Sequence, residues 1–141
     1  MSDTIISKTQ IQIQIRDLDI LHDACNELGL TLDPDAECRG FAGGVRKASH
    51  VIKLKGPIDI AVDLSSENNG TYDLITDWRG GHVAKEVGVG FGRLLQSYGI
   101  QEAIRYARAR GVRVIRRTRS DGSVLLTLKW DSNELPPPST I

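Results

Sequence analysis

The chain has 141 residues, with 18 Lys and Arg against 18 Asp and Glu, 40% apolar side chains and 5% aromatic ones. That length suits one domain, and no apolar run approaches the ~18 residues of a membrane-spanning helix. No signal-peptide core opens the chain, and two cysteines, Cys25 and Cys38, make neither a disulfide framework nor a zinc knuckle. A cytoplasmic, reduced setting is expected. Zero net charge hides an asymmetry: residues 1–38 carry eight acids against two bases, and residues 105–141 eight bases against three acids.

Gln10 to Arg16 alternates, with Ile11, Ile13 and Ile15 on one face and Gln10, Gln12 and Gln14 on the other, which predicts a strand with one wet side. From Asp17 the period changes. Leu18, Leu21, Cys25 and Leu28 line one helical face and Asp19, Asp23, Asn26 and Glu27 the other, with Asp17 as N-cap and Gly29 at the left-handed end. Residues 33–49, punctuated by Pro34, Gly40, Gly43 and Gly44, read as a long loop. Strands follow at about 50–55, 58–64 and 72–78. Pairing Lys55 with Asp59 would set Leu54 against Ile60 and Ile52 against Val62, leaving Lys53, Lys55, Asp59 and Asp63, continued by Asp73 and Asp77, on a wet outer face.

Gly80-Gly81 ends the sheet pattern. Val87, Phe91, Leu94, Leu95 and Tyr98 have helical spacing up to Gly99, as do Ile100, Ala103, Ile104 and Ala107 up to Gly111, and Gly88, Gly90 and Gly92 weaken the first part, which predicts a bent helix or two short ones. Val112 to Arg119 and Val124 to Trp130 form a hairpin closed by a two-residue turn at Asp121-Gly122. The expected fold is α+β, an antiparallel sheet of about six strands with helices on one face, related to ferredoxin-like folds. Residues 1–130 are expected to form a single domain. Residues 131–141, with Pro136, Pro137 and Pro138, form an extended tail.

Seven arginines lie within fifteen residues, and Arg105, Arg108, Arg113, Arg117 and Arg119 are the candidate phosphate contacts among them. Cations in the last turns of a helix also favour its dipole, so a solvated or ion-paired surface explains the same residues. The expected outer sheet face carries no aromatic ring on which single-stranded bases could stack. Gly88, Gly90 and Gly92 precede Arg93, where a dinucleotide fingerprint needs its third glycine, so a close backbone approach at a helix entrance is the simpler reading. Cys25 reads as a core hydrophobe. Cys38 beside Arg39 is the least implausible reactive thiol. His22, His50 and His82 share no ligand spacing, and neither a metal nor a cofactor is expected. The segment Arg39, Gly40, Phe41, Gly43 and Gly44 combines a cation, a ring and a flexible backbone, and is the expected partner-binding loop.

In order and spacing, Lys8-Thr9-Gln10-Ile11, Arg39-Gly40-Phe41, Tyr72-Asp73-Leu74-Ile75, Gln96-Ser97-Tyr98, Asp121-Gly122-Ser123 and Trp130 resemble the Ycf35 family (DUF1257), across roughly Lys8 to Trp130. The resemblance carries over no catalytic residue. It implies an accessory or adaptor role, since members are found near genes for AAA+ ATPases and other small proteins. The expectation is therefore an intracellular adaptor that works by binding a protein partner, with an AAA+ ATPase as a candidate, and not an enzyme. The alternative is a phosphate or nucleic-acid binder using Arg105 to Arg119.

Overall fold

A computed structural model describes residues 14–41, 44–66 and 70–130. The expected strand at Gln10–Ile13, Gly43, and the proline tail lie outside the described residues. Two compact units divide the chain, Met1–Gly99 and Ile100–Ile141. Among the described residues no helix is long and apolar enough to cross a membrane.

In the first unit, α1 spans Leu18–Glu27. The Asp17 carboxylate accepts from the N–H groups of Asp19 and Ile20 at 2.8 and 3.2 Å, satisfying donors that a helix start leaves unpaired. Its end is a Schellman motif: Gly29, at φ +76°, donates to Asn26 O, and Leu30 donates to Cys25 O at 2.8 Å. The side chains of Ile20, Leu21, Ala24 and Cys25 are buried, the face that the 3.6-residue period marks.

Of the expected loop, residues 33–41 and 44–49 are strands. They lie in a long antiparallel hairpin of β1, Thr31–Phe41, and β2, Gly44–Lys53, running from Thr31 opposite Lys53 to Phe41 opposite Gly44. Pro34 fits because β1 is an edge strand in this sheet, and Gly40 sits at a bulge where the register shifts between Arg39 and Phe41. β3, Ile60–Leu64, and β4, Tyr72–Ile75, complete a sheet of order β1-β2-β3-β4. Each strand neighbours its successor, so the sheet is a meander, without the helical crossover of a split βαβ unit. Ile15 extends it through a bridge to Tyr72.

The β2–β3 register is displaced by two residues from the expected one. Ile52 lies opposite Ile60 and His50 opposite Val62. Glu86 holds the connection open by accepting from the N–H groups of Lys55 and Gly56 at 2.8 and 2.9 Å, while Asp59 accepts from Leu54 N–H at 3.0 Å. The displacement is even, so the same side chains still point inward. The opposite sheet face is not uniformly wet. Cys38, Ala48, Val51 and Ala61 are buried there with Ala36, Phe41 and Ile75 packed against them, while Ile52, Ile60 and Val62 belong to the main core with α1.

After β4, Asp77 accepts from the N–H of Arg79 and turns the chain into a 3₁₀ turn, Arg79–Gly81, then α2, His82–Val87. The break falls at Gly88–Phe91, among the glycines expected to weaken the helix, and Gly99 does not interrupt it: a second 3₁₀ turn, Val89–Phe91, leads into α3, Gly92–Ala109, which continues through Gly99. Gly88 lies at φ +86°, and an added Cβ would stand 2.8 Å from the Arg93 backbone nitrogen. This is the close approach the glycine pattern suggested. The buried Tyr98 hydroxyl accepts from the N–H groups of Arg16 and Asp17 at 3.0 and 3.1 Å, fixing the entrance to α1.

In the second unit, the end of α3 repeats the Schellman pattern: Gly111, at φ +74°, donates to Arg108 O and Val112 donates to Ala107 O. β5, Arg113–Thr118, and β6, Val124–Lys129, form a separate two-stranded antiparallel sheet. The α+β class holds, and the described residues contain six strands, divided four and two, with β1 in place of part of the expected loop. The connecting loop has three residues rather than two. Gly122 N–H donates to Arg119 O, Arg119 N–H donates to Ser123 O, and only Gly122 is left-handed.

Candidate functional site

The expected docking segment starts at a buried ion pair. Asp59, assigned above to a wet face, is fully buried. Arg39 Nε donates to Asp59 Oδ2 at 2.9 Å, and Arg39 Nη2 donates to Oδ1 at 2.7 Å and to the carbonyls of Leu54 and Gly56, both at 2.9 Å. The backbone joins in: Arg39 N–H donates to Asp59 Oδ2 and Asp59 N–H to Arg39 O. Lys53 Nζ stands 3.7 Å from the same carboxylate. Burial alone would raise the Asp59 pKa. The hydrogen bonds from the Arg39 side chain and from the Leu54 and Arg39 N–H groups, with the Arg39 charge, outweigh it and hold the carboxyl below its ordinary value.

Gly40, at φ +99°, passes so near Ile58 that an added Cβ would lie 2.8 Å from its side chain. Phe41 is half-buried, with the Arg46 guanidinium 5.5 Å from its ring centre. Arg46 also donates to Asp63 at 2.6 Å, so Asp63 is partnered from β2 and not by Lys55. Gly44, at φ +119°, opens β2. Arg39 and Gly40 thus close the sheet against the 54–59 connection. These partners stand about twenty residues apart in sequence, which is why a local reading missed them.

Cys38 is fully buried, and its thiol is pushed up to about 11, first by burial and then by the Asp59 charge, against the lowering effect of Arg46, Lys53 and Arg39. Arg39 therefore does not lower this thiol's pKa below its ordinary value. Cys25 is buried on α1 and pushed up to about 12 by burial. Among the described residues no three His, Cys, Asp or Glu side chains gather as a metal site would require. Arg93 donates to the carbonyls of Lys85 and Glu86, at the end of α2.

The arginine cluster divides by element. Arg105 and Arg108 lie on α3, and Arg110 lies over the Tyr106 ring, 3.6 Å from its centre. In the ribbon, Arg113 faces Lys129, Ile115 faces Thr127 and Arg117 faces Leu125. Alternation puts these six side chains on one face, and all six residues are exposed. Val114, Arg116, Thr118, Val124, Leu126 and Leu128 occupy the other face, which includes the ribbon's half-buried positions. Arg119 follows β5 at the turn.

The first face therefore holds three cations and no carboxylate. No ion pair joins Arg113, Arg117 or Lys129 to an acid among the described residues. Arg113 and Lys129 are direct cross-strand neighbours, an arrangement of like charges that destabilises a sheet unless an anion lies over it. The charge imbalance is a property of the units: Met1–Gly99 carries fourteen acids and ten bases, and Ile100–Ile141 four acids and eight bases.

A four-stranded meander with helices and a separate two-stranded ribbon with an exposed cationic face define a small α+β protein. The chain belongs to the family described as "Protein of unknown function (DUF1257)", whose family model matches residues 24–127. No curated protein and no solved structure gives a significant match to it.

Proposed function

We propose that the chain is a binding module, an adaptor that docks on an anionic partner through the outer face of the β5–β6 ribbon. The observation that carries this reading is the exposed Arg113–Arg117–Lys129 face, which bears the repulsion of a like-charged cross-strand pair with no carboxylate among the described residues to relieve it. The Arg39–Phe41 segment is a weaker docking candidate because its guanidinium is spent on Asp59 and on two carbonyls.

Retention on a heparin resin at low salt, compared between the native protein and the Arg113→Glu/Arg117→Glu variant, tests the reading. The native chain is retained and released by salt, and the variant flows through. Flow-through of both ends the proposal. The ribbon chemistry specifies an anionic surface and not a particular protein. An AAA+ ATPase, which the family resemblance implies, becomes the partner if the purified ATPase is held by immobilised chain and the variant fails to hold it.

A further inference from the structure

From the geometry of the ribbon we infer that its anionic partner is a nucleic-acid duplex, gripped at the backbone by Arg113, Arg117 and Lys129; this rests on the binding reading above and names its partner. Three observations support a duplex. The ribbon is two strands wide, and a B-form major groove admits a two-stranded ribbon as readily as an α-helix. Arg113 and Arg117 are four residues apart on one strand, so their forks reach out about 13 Å from each other along the ribbon, with Lys129 across from the first. Two cations therefore pair at one end of the face and the third lies about 13 Å along it, further than one small anion spans, as a polymer of phosphates allows.

The side chains between the cations decide against a single strand. Ile115, Leu125 and Thr127 share the face, and no aromatic ring does. Single-strand recognition draws on base stacking against rings, which this face cannot offer. Aliphatic and threonine side chains instead suit the floor of a groove, where the thymine methyl is an apolar contact. Guanidinium groups are planar forks matched to phosphate oxygens, and two of the three cations are arginines. The neutral net charge of the whole chain means that such binding depends on this local face and not on overall attraction.

Fluorescence anisotropy of a labelled 20-base-pair duplex, titrated with the full chain across a salt series, tests the inference. Three phosphate contacts give a log–log salt slope of about −3, a loss of roughly forty-fold in affinity between 50 and 200 mM salt. In Arg113→Ala/Arg117→Ala the slope falls by about two, while Arg113→Lys/Arg117→Lys keeps it, with circular dichroism melts confirming that each variant is folded. Duplex binding that is absent at 50 mM salt, unchanged in the alanine pair, or weaker than binding to the same length of single strand overturns the inference. So does tighter binding to polyglutamate, which would point to an acidic protein. If heparin retention persists in any of these cases, the anion-binding reading stands and only the duplex falls; if heparin retention is lost too, both fall.

Discussion

Asp59 is the residue on which the sheet's closure turns. Its carboxylate has no exposed surface and receives donors from Arg39, Leu54 and the Arg39 backbone, while the Arg39 side chain keeps 45% of its own surface in solvent. Exposed ion pairs contribute little, but removing one partner of a buried charge leaves that charge uncompensated. Arg39→Ala is therefore expected to destabilise the fold by about 3 kcal/mol, measured by guanidinium unfolding. A loss under 1 kcal/mol would show that water and Lys53 suffice for Asp59. The pH dependence has a definite sign. Because the folded pKa lies below the unfolded one, about 3.9, this stabilisation is complete above that value and fades as pH falls through the folded pKa. Asp59→Asn lacks that acid-side component, so the two stability profiles converge at low pH. The cysteines behave oppositely: both thiols are held protonated by burial. Neither should react rapidly with a disulfide reagent at pH 7.5 until the chain is unfolded, and one fast equivalent in the native state would contradict the burial.

Among the elements, the junction between α2 and α3 offers a paired test. Gly88 has φ +86° and ψ 160°, a region open essentially to glycine, and lies against the Arg93 backbone, whereas Gly92 is ordinary right-handed helix with nothing within 4 Å of an added Cβ. Gly88→Ala is expected to cost about 2–3 kcal/mol and Gly92→Ala to stabilise by about 0.5 kcal/mol, read from thermal melts. Equal effects would refute the assignment of the junction to Gly88. The sequence made α1 legible because period, N-cap and C-terminal glycine all agree there, each a local signal. It concealed the β1–β2 hairpin because Pro34 and three glycines look like loop punctuation, although an edge strand tolerates the first and a bulge uses Gly40. Alternation suggested a wet sheet face, but Val51 and Ala61 are buried by neighbours that no local window contains. The ribbon was legible as a hairpin. Its cation-only face, however, emerged only when register set Lys129 beside Arg113.

For the whole molecule, neutrality is a sum of opposites: four excess acids in Met1–Gly99 and four excess bases in Ile100–Ile141, with an isoelectric point near 6.8. A chain with no net charge has no long-range repulsion to keep copies apart, while its oppositely charged units attract one another between molecules. That attraction is unscreened at 0.01 M salt, where the Debye length is about 30 Å, and largely screened at 0.15 M, where it is about 8 Å. Static light scattering at pH 6.8 should therefore show an apparent mass that rises with protein concentration at low salt and returns toward the 15.5 kDa of a single chain at 0.15 M. The Arg113→Glu/Arg117→Glu variant moves the net charge from zero to −4, restoring mutual repulsion while removing the cationic face. It should stay at one mass throughout the salt series. A native mass that ignores salt would refute this attraction between molecules.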